Sequence, residues 1–151
     1  MASDVFMGGS EVYVAAANAE GGQAFFDDIA SHKIAAVYGF HYGFAGFNGD
    51  PAYVQTAYAV EQPLNPCTSL YYVLDGRVDV AVVPELYPEM FLQNYPQYQG
   101  RFLTGLEPDQ TYEHSIVLRE DGTVSLDEIN ALLAELEENG PFGRIMEPYL
   151  F

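Results

Sequence analysis

The chain has 151 residues, 49% of them hydrophobic, with 22 acidic residues against 5 basic ones and a formal charge of −17. A chain of this length is one domain, or one and a fragment, with enough apolar side chains to build its own core. The charge excludes nucleic acid and anionic membrane surfaces as partners, because both are recognised through Lys and Arg. The acidic excess reads as a solvated, self-repelling surface; a salty habitat or a cationic ligand are the sharper alternatives. A lone cysteine, Cys67, rules out an internal disulfide and a multi-cysteine metal site. No apolar run reaches the roughly 18 residues of a membrane span, so no membrane insertion is expected.

Residues 1–10 have neither the basic start nor the long apolar stretch of an export signal. They are expected to be disordered, or the start of a piece cut from a longer precursor. Glu11–Ala17 (EVYVAAA) is a short strand candidate, and Gly21-Gly22 separates it from Gln23–Ala30, one or two helical turns with Phe25, Phe26 and Ile29 inward. Lys33–Tyr38 (KIAAVY) is a second strand. The glycine-rich, aromatic stretch Gly39–Gly49 (GFHYGFAGFNG) is then the loop over that strand's C-terminal end. Asp50-Pro51 and Asn65-Pro66 each pair an N-cap residue with proline at the first helical position. The first starts a short helix, because Tyr58–Gln62 reads extended. The second opens a helix that Gly76 closes, since glycine reaches the left-handed conformation without steric cost.

Val78-Asp79-Val80-Ala81-Val82-Val83 is a nearly continuous apolar run rich in β-branched residues, suited to a strand covered on both faces; Asp79 is expected to lie inside it and to hydrogen-bond locally. Pro84 should end the strand. Glu85–Tyr95 has helical spacing, Arg101–Leu106 is extended and Tyr112–Leu118 is a further strand. The helix Leu126–Glu138 is the best specified: Ser125 and Glu128 form a capping box, Leu126, Ile129, Leu132, Leu133 and Leu136 make one apolar stripe, and Asn139-Gly140-Pro141 ends it. Phe142–Phe151 is expected to hold a final turn of helix and a tail. Strands alternating with helices predict an α/β fold: three αβα layers around a mainly parallel sheet.

GRVDVAVVP at Gly76–Pro84 resembles the "GRVDAVV" segment of type II periplasmic solute-binding proteins, the extracellular family 3 group that feeds ABC transporters. IASHKIAAVYG at Ile29–Gly39 resembles that family's "dLkGkkIaVvrG", and the stretch Ser115–Leu150 resembles its closing strand and helix. The resemblance covers roughly residues 12–150. It implies two α/β lobes joined by two crossing strands, with ligand in the cleft between lobes. On that plan residues 11–118 are a second-lobe-like domain with its crossing strands, and residues 119–151 return to a first lobe. The βαβ units that begin a first lobe are missing, so the chain is read as a fragment or a reduced relative. The stripe of the last long helix would then need another surface, its own second-lobe sheet or a second copy. The expectation is a homodimer formed by exchange of the C-terminal segment.

Candidate ligand-binding residues follow. Tyr38, Gly39, Phe40, His41 and Tyr42 belong to a glycine loop that can present free amides to an anion. The family's amino-acid binders place a small residue and Ser or Thr here for the ligand carboxylate, where this chain has Phe40 and His41. Glu85 lies one residue past the position that in the family takes a ligand amino group. Asn65 and Thr68 start a helix at the cleft, though capping alone also accounts for them. His32, His41 and His114 show no metal-like spacing, there is no GxGxxG, GxxxxGK[ST] or GxSxG, and Cys67 reads as a buried small hydrophobe. Neither cofactor nor metal is expected. The expected function is non-catalytic binding of a small polar solute, an amino acid or similar, and its delivery to an ABC permease from a periplasmic location. The alternative is a sensory or accessory ligand-binding module of the same fold without a transport role. A small flavodoxin-like enzyme is the more distant reading.

Overall fold

The protein is described here by a computed structural model, covering residues 1–138 and 140–146, the side chains of 138 and 146 excepted. The chain divides into two compact units: a larger one of residues 10–111, and a smaller one made by residues 1–9 with the chain from 112 onward. Two paired strands, β1 (Met7–Ala16) and β6 (Gln110–His114), carry the chain from one unit to the other.

The larger unit is built on a mixed sheet. Beside β1 stand β2 (Ile34–Ala35), β3 (Val60–Glu61), β4 (Val80–Pro84) and β5 (Phe102–Thr104), in the order β3-β2-β4-β1-β5. Strands β3, β2 and β4 are parallel, with Ile34 opposite both Val60 and Val80. Strand β1 runs antiparallel to β4, with Glu11 opposite Pro84 and Ala15 opposite Val80, and antiparallel to β5.

Both faces of β4 are buried, as its unbroken apolar sequence requires. Ala81 and Val83 join Val12, Val14 and Ala35 beneath helices α2 (Pro66–Leu74) and α3 (Tyr87–Asn94), where Leu70, Val73 and Phe91 are buried. Val80 and Val82 face the other way and meet Tyr13, Ile34, Ala36, Ile29 and Tyr42. This second face is covered by 3-10 turns at Gly22–Phe26 and Ile29–Ser31 and by the aromatic loop, not by full α-helices. Helix α1 (Pro51–Ala57) buries Val54. Both cap-plus-proline signals form as expected: Asp50 accepts the amide of Ala52, and Asn65 accepts that of Thr68. Gly76 adopts φ +66 just past α2.

Three local expectations change. Asp79 precedes β4, is exposed, and its carboxylate accepts the amide of Lys33. Cys67 is half-buried against the helical side of the core. The first ten residues are not disordered. Ser3 is buried, the amides of Ser3 and Phe6 donate to the carbonyls of Ile116 and His114, and Met7–Ala16 is strand.

The smaller unit also holds α4 (Leu126–Glu138) and α5 (Pro141–Met146). The capping box is formed, Glu128 N–H donating to Ser125 Oγ and Ser125 N–H to Glu128 Oε2. Of the α4 stripe, Leu126, Ile129 and Leu133 are half-buried, whereas Leu132 is 53% and Leu136 38% exposed. Leu132 is therefore not part of a core in this unit. At the expected stop Asn139-Gly140-Pro141, Gly140 adopts φ +73 and Pro141 opens α5; Asn139 and the tail from residue 147 lie outside the described residues.

Candidate functional site

The parallel strands bring most of the sequence-predicted site residues to one edge of the sheet. Past β2 the chain stays extended, and the amide of Tyr38 donates to the carbonyl of Pro63 at 2.9 Å. That bond sets the loop after β2 beside the segment leading into α2. Pro84 ends β4 at the same edge, opposite Glu11 of β1. The loop 38–47, the N-terminus of α2 with Asn65 and Thr68, and Glu85 thus share the C-terminal edge of β2, β3 and β4. In open α/β sheets this is where ligands are received, because helix N-termini and strand-end loops converge there.

The loop is glycine-built and partly strained. Gly39 and Gly46 adopt φ +78 and +62, and Phe47, a bulky residue, is held at φ +60. The amide of Phe47 donates to the carbonyl of Tyr42 at 2.9 Å, which fixes that conformation. Tyr38, Phe40 and Phe47 leave half or more of their surface exposed. His41 is exposed too, and its carbonyl accepts from Gln110 Nε2. Tyr42 differs from its neighbours. It is buried, its ring stacks between Phe40 and Phe44, and its hydroxyl accepts the amide of Val37 at 2.8 Å. It supports the loop from below and does not face a ligand. Burial, above all, pushes its phenol well above the usual tyrosine range.

Asn65 and Thr68 are occupied with each other, since Asn65 Oδ1 accepts both the amide and the hydroxyl of Thr68. Exposed Glu85 accepts the hydroxyl of Ser10 at 2.5 Å, and its amide donates to the Ser10 carbonyl.

Two residues missed in the sequence hold the edge together. Asp109, in the turn before β6, accepts the amides of Gly43 (2.6 Å) and Phe44 (2.7 Å) and the hydroxyl of Tyr13 (2.5 Å). Burial first, then the bond to Asp109 and its charge, raise the Tyr13 phenol far above its ordinary value. Glu11 lies two residues before Tyr13 on the same face of β1 and is buried. Strand alternation was the available signal for Glu11, because it puts this carboxyl on the Tyr13 side. Nothing local marked Asp109, which meets Gly43 across 66 residues of chain.

No protein-family model and no curated protein sequence matches the chain. Solved structures do. An ancestral arginine-binding protein bound to arginine superposes with TM-score 0.72 at 16% identity, over 99% of this chain and 64% of the other. The arginine-, lysine-, histidine-binding protein ArtJ from Geobacillus stearothermophilus gives TM-score 0.71 at 12% identity, over 99% and 62%. A mutant of ArgBP from T. maritima gives 0.69 at 18%, over 99% and 61%. The fold is that of the type II periplasmic binding proteins. The chain spans less than two thirds of the length of these binding proteins.

The larger unit has two further clefts. One of about 570 Å³ is lined by Asn18, Leu74, Gly100 and Arg101, and one of about 500 Å³ by Phe26, Asp27, Leu106 and Glu107. Neither gathers the amides, helix N-terminus and aromatic rings found at the strand ends. Among the described residues no group of three or more His, Cys, Asp or Glu could hold a metal, and no helix is long and apolar enough to cross a membrane.

Proposed function

We propose that the chain binds a small polar solute, an amino acid or a similar molecule, without catalysis. The site is the edge formed by Tyr38–His41, the N-terminus of α2 and Glu85. One observation carries this reading: the exposed rings of Tyr38 and Phe40, the capped start of α2 and the acidic Glu85 meet at the strand ends of a sheet shared with amino-acid binding proteins. The rings supply stacking surface, Glu85 can accept from an ammonium group, and Gly39 and His41 present polar groups to the rest of the solute.

In its full setting the solute would be enclosed between two lobes and handed to an ABC permease outside the cytoplasmic membrane. The length shared with the binding proteins supports reading this chain as one lobe with its return segment. The exposed Leu132 and Leu136 support a second copy covering α4, by exchange of the C-terminal segment. Light scattering checks that: a stable monomer at high concentration contradicts it.

The binding reading is tested by calorimetry with a panel of amino acids. A lone lobe makes only part of the contacts, so a weak response is expected here and a clear one from the full-length precursor. A precursor that binds no amino acid on the panel refutes the proposed ligand class.

A further inference from the structure

Glu11 is the most anomalous polar group in the larger unit. It is 5% exposed, and its Oε2 atom has no hydrogen-bond partner. Its own backbone anchors the loop clamp, because the carbonyl of Glu11 accepts the amide of Asp109 at 2.8 Å. The Asp109 carboxylate is committed in turn to Gly43, Phe44 and Tyr13.

Among the described residues no ion pair reaches Glu11. From the turn before β6 comes Asp109, from β1 the hydroxyl of Tyr13, already given to Asp109, and from the loop after β2 the hydroxyl of Tyr42, which accepts the Val37 amide. From β4, opposite Glu11, comes Pro84, followed by Glu85, which takes the hydroxyl of Ser10. Burial, first, and then the charge of Asp109 push the Glu11 carboxyl up from 4.5 to about 7. A neutral carboxyl tolerates this dry position far better than a carboxylate does.

We propose that Glu11 is a proton-operated latch on the 39–47 loop. With its proton, Glu11 fills its place beneath the loop and Asp109 keeps hold of the Gly43 and Phe44 amides. Without it, a second negative charge is buried near that of Asp109, with no hydrogen-bond donor to Glu11 Oε2. The strain is relieved by parting Asp109 from the loop, which lifts from the sheet edge. The latch is a property of the protein itself and holds whatever the loop binds.

The test is a carbon-detected NMR titration of the Glu11 carboxyl in the whole chain, with the amides of Gly43 and Phe44 followed in parallel. The latch predicts a Glu11 midpoint near 7. Gly43 and Phe44 should shift with that same midpoint, and above it their hydrogen exchange, corrected for its intrinsic pH dependence, should quicken by about tenfold or more. In Glu11→Gln, neutral at every pH, both amides should stay protected throughout. A Glu11 midpoint near 4.5 overturns the latch. So does a midpoint near 7 with Gly43 and Phe44 unmoved, or a Glu11→Gln protein whose loop still opens with rising pH.

Discussion

Replacing Gly43 by alanine tests whether the clamp on the aromatic loop is as tight as its geometry indicates. Gly43 is not in the left-handed region, so the test is purely steric. A Cβ built there falls 2.2 Å from the carbonyl oxygen of Asp109 and 3.3 Å from its Oδ1. The nearest atom is backbone, which cannot swing aside as the end of a side chain would. An ordinary contact needs roughly 1 Å more, and displacing the two backbones by that much breaks the 2.6 Å and 2.7 Å bonds from Gly43 and Phe44 to Asp109. A hydrogen bond to a charged group contributes about 1.5–3 kcal/mol, and overpacking a filled site costs about 1–3 kcal/mol. These costs overlap, because the movement that relieves the clash is the movement that breaks the bonds. We expect a loss of about 3 kcal/mol, read as a lowered urea midpoint by circular dichroism. Gly46→Ala is the control: its Cβ meets nothing within 4 Å, but φ is +62, so it should cost only about 1 kcal/mol. A Gly43→Ala protein within about 0.5 kcal/mol of the parent would refute the clamp.

Leu70 is fully buried on the inner face of α2, so Leu70→Ala should cost about 2–5 kcal/mol, whereas Leu132→Ala, 53% exposed, should cost under about 1 kcal/mol; urea midpoints of the two variants check the contrast. Asn65→Ala removes the acceptor for the Thr68 amide and should cost about 1 kcal/mol in the same assay. The acid–base behaviour of Glu11 sets a sign for stability against pH. Its folded value near 7 lies above its unfolded 4.5, so its contribution is complete below about 4.5, declines as pH rises, and is gone above 7. The span is at most about 3 kcal/mol, reduced by screening from nearby solvent, and thermal melts should show Glu11→Gln flattening it.

What could be read from the sequence was whatever local chemistry decides. Asp50-Pro51, Asn65-Pro66 and Ser125 with Glu128 each specify a helix start within four residues, and each forms as expected. Strand β4 announced itself because both of its faces are covered. Less legible was the extent of short elements. Lys33–Tyr38 looked like a full strand, yet regular pairing covers only Ile34–Ala35 before the chain turns into the loop. The second covering layer forms as the one or two helical turns the sequence indicates, and only its helix type was not legible. Phe25, Phe26 and Ile29 pack inward as their apolar character suggests, but from 3-10 turns flanking Asp27 and Asp28.

At the site, caps and glycines marked the edge, while the core role of Tyr42 and the clamp of Asp109 were invisible. Tyrosine in an aromatic, glycine-rich loop carries no sign of which rings turn inward. An aspartate in a turn does not reveal that its partners lie 65 to 96 residues away. The Leu132 and Leu136 positions repeat the lesson in reverse. Helical periodicity says which residues share a face, not whether anything lies against it.

The central claim is that a small polar solute binds at the C-terminal edge of β2, β3 and β4. Amide chemical-shift mapping tests it most directly, since NMR detects the weak binding expected of a lone lobe. Titration with free amino acids should give saturable shifts clustered in residues 38–47, around Asn65 and Thr68, and at Glu85. Shifts confined to the clefts beside Arg101 or Leu106, or none with any amino acid at millimolar concentration, would contradict it.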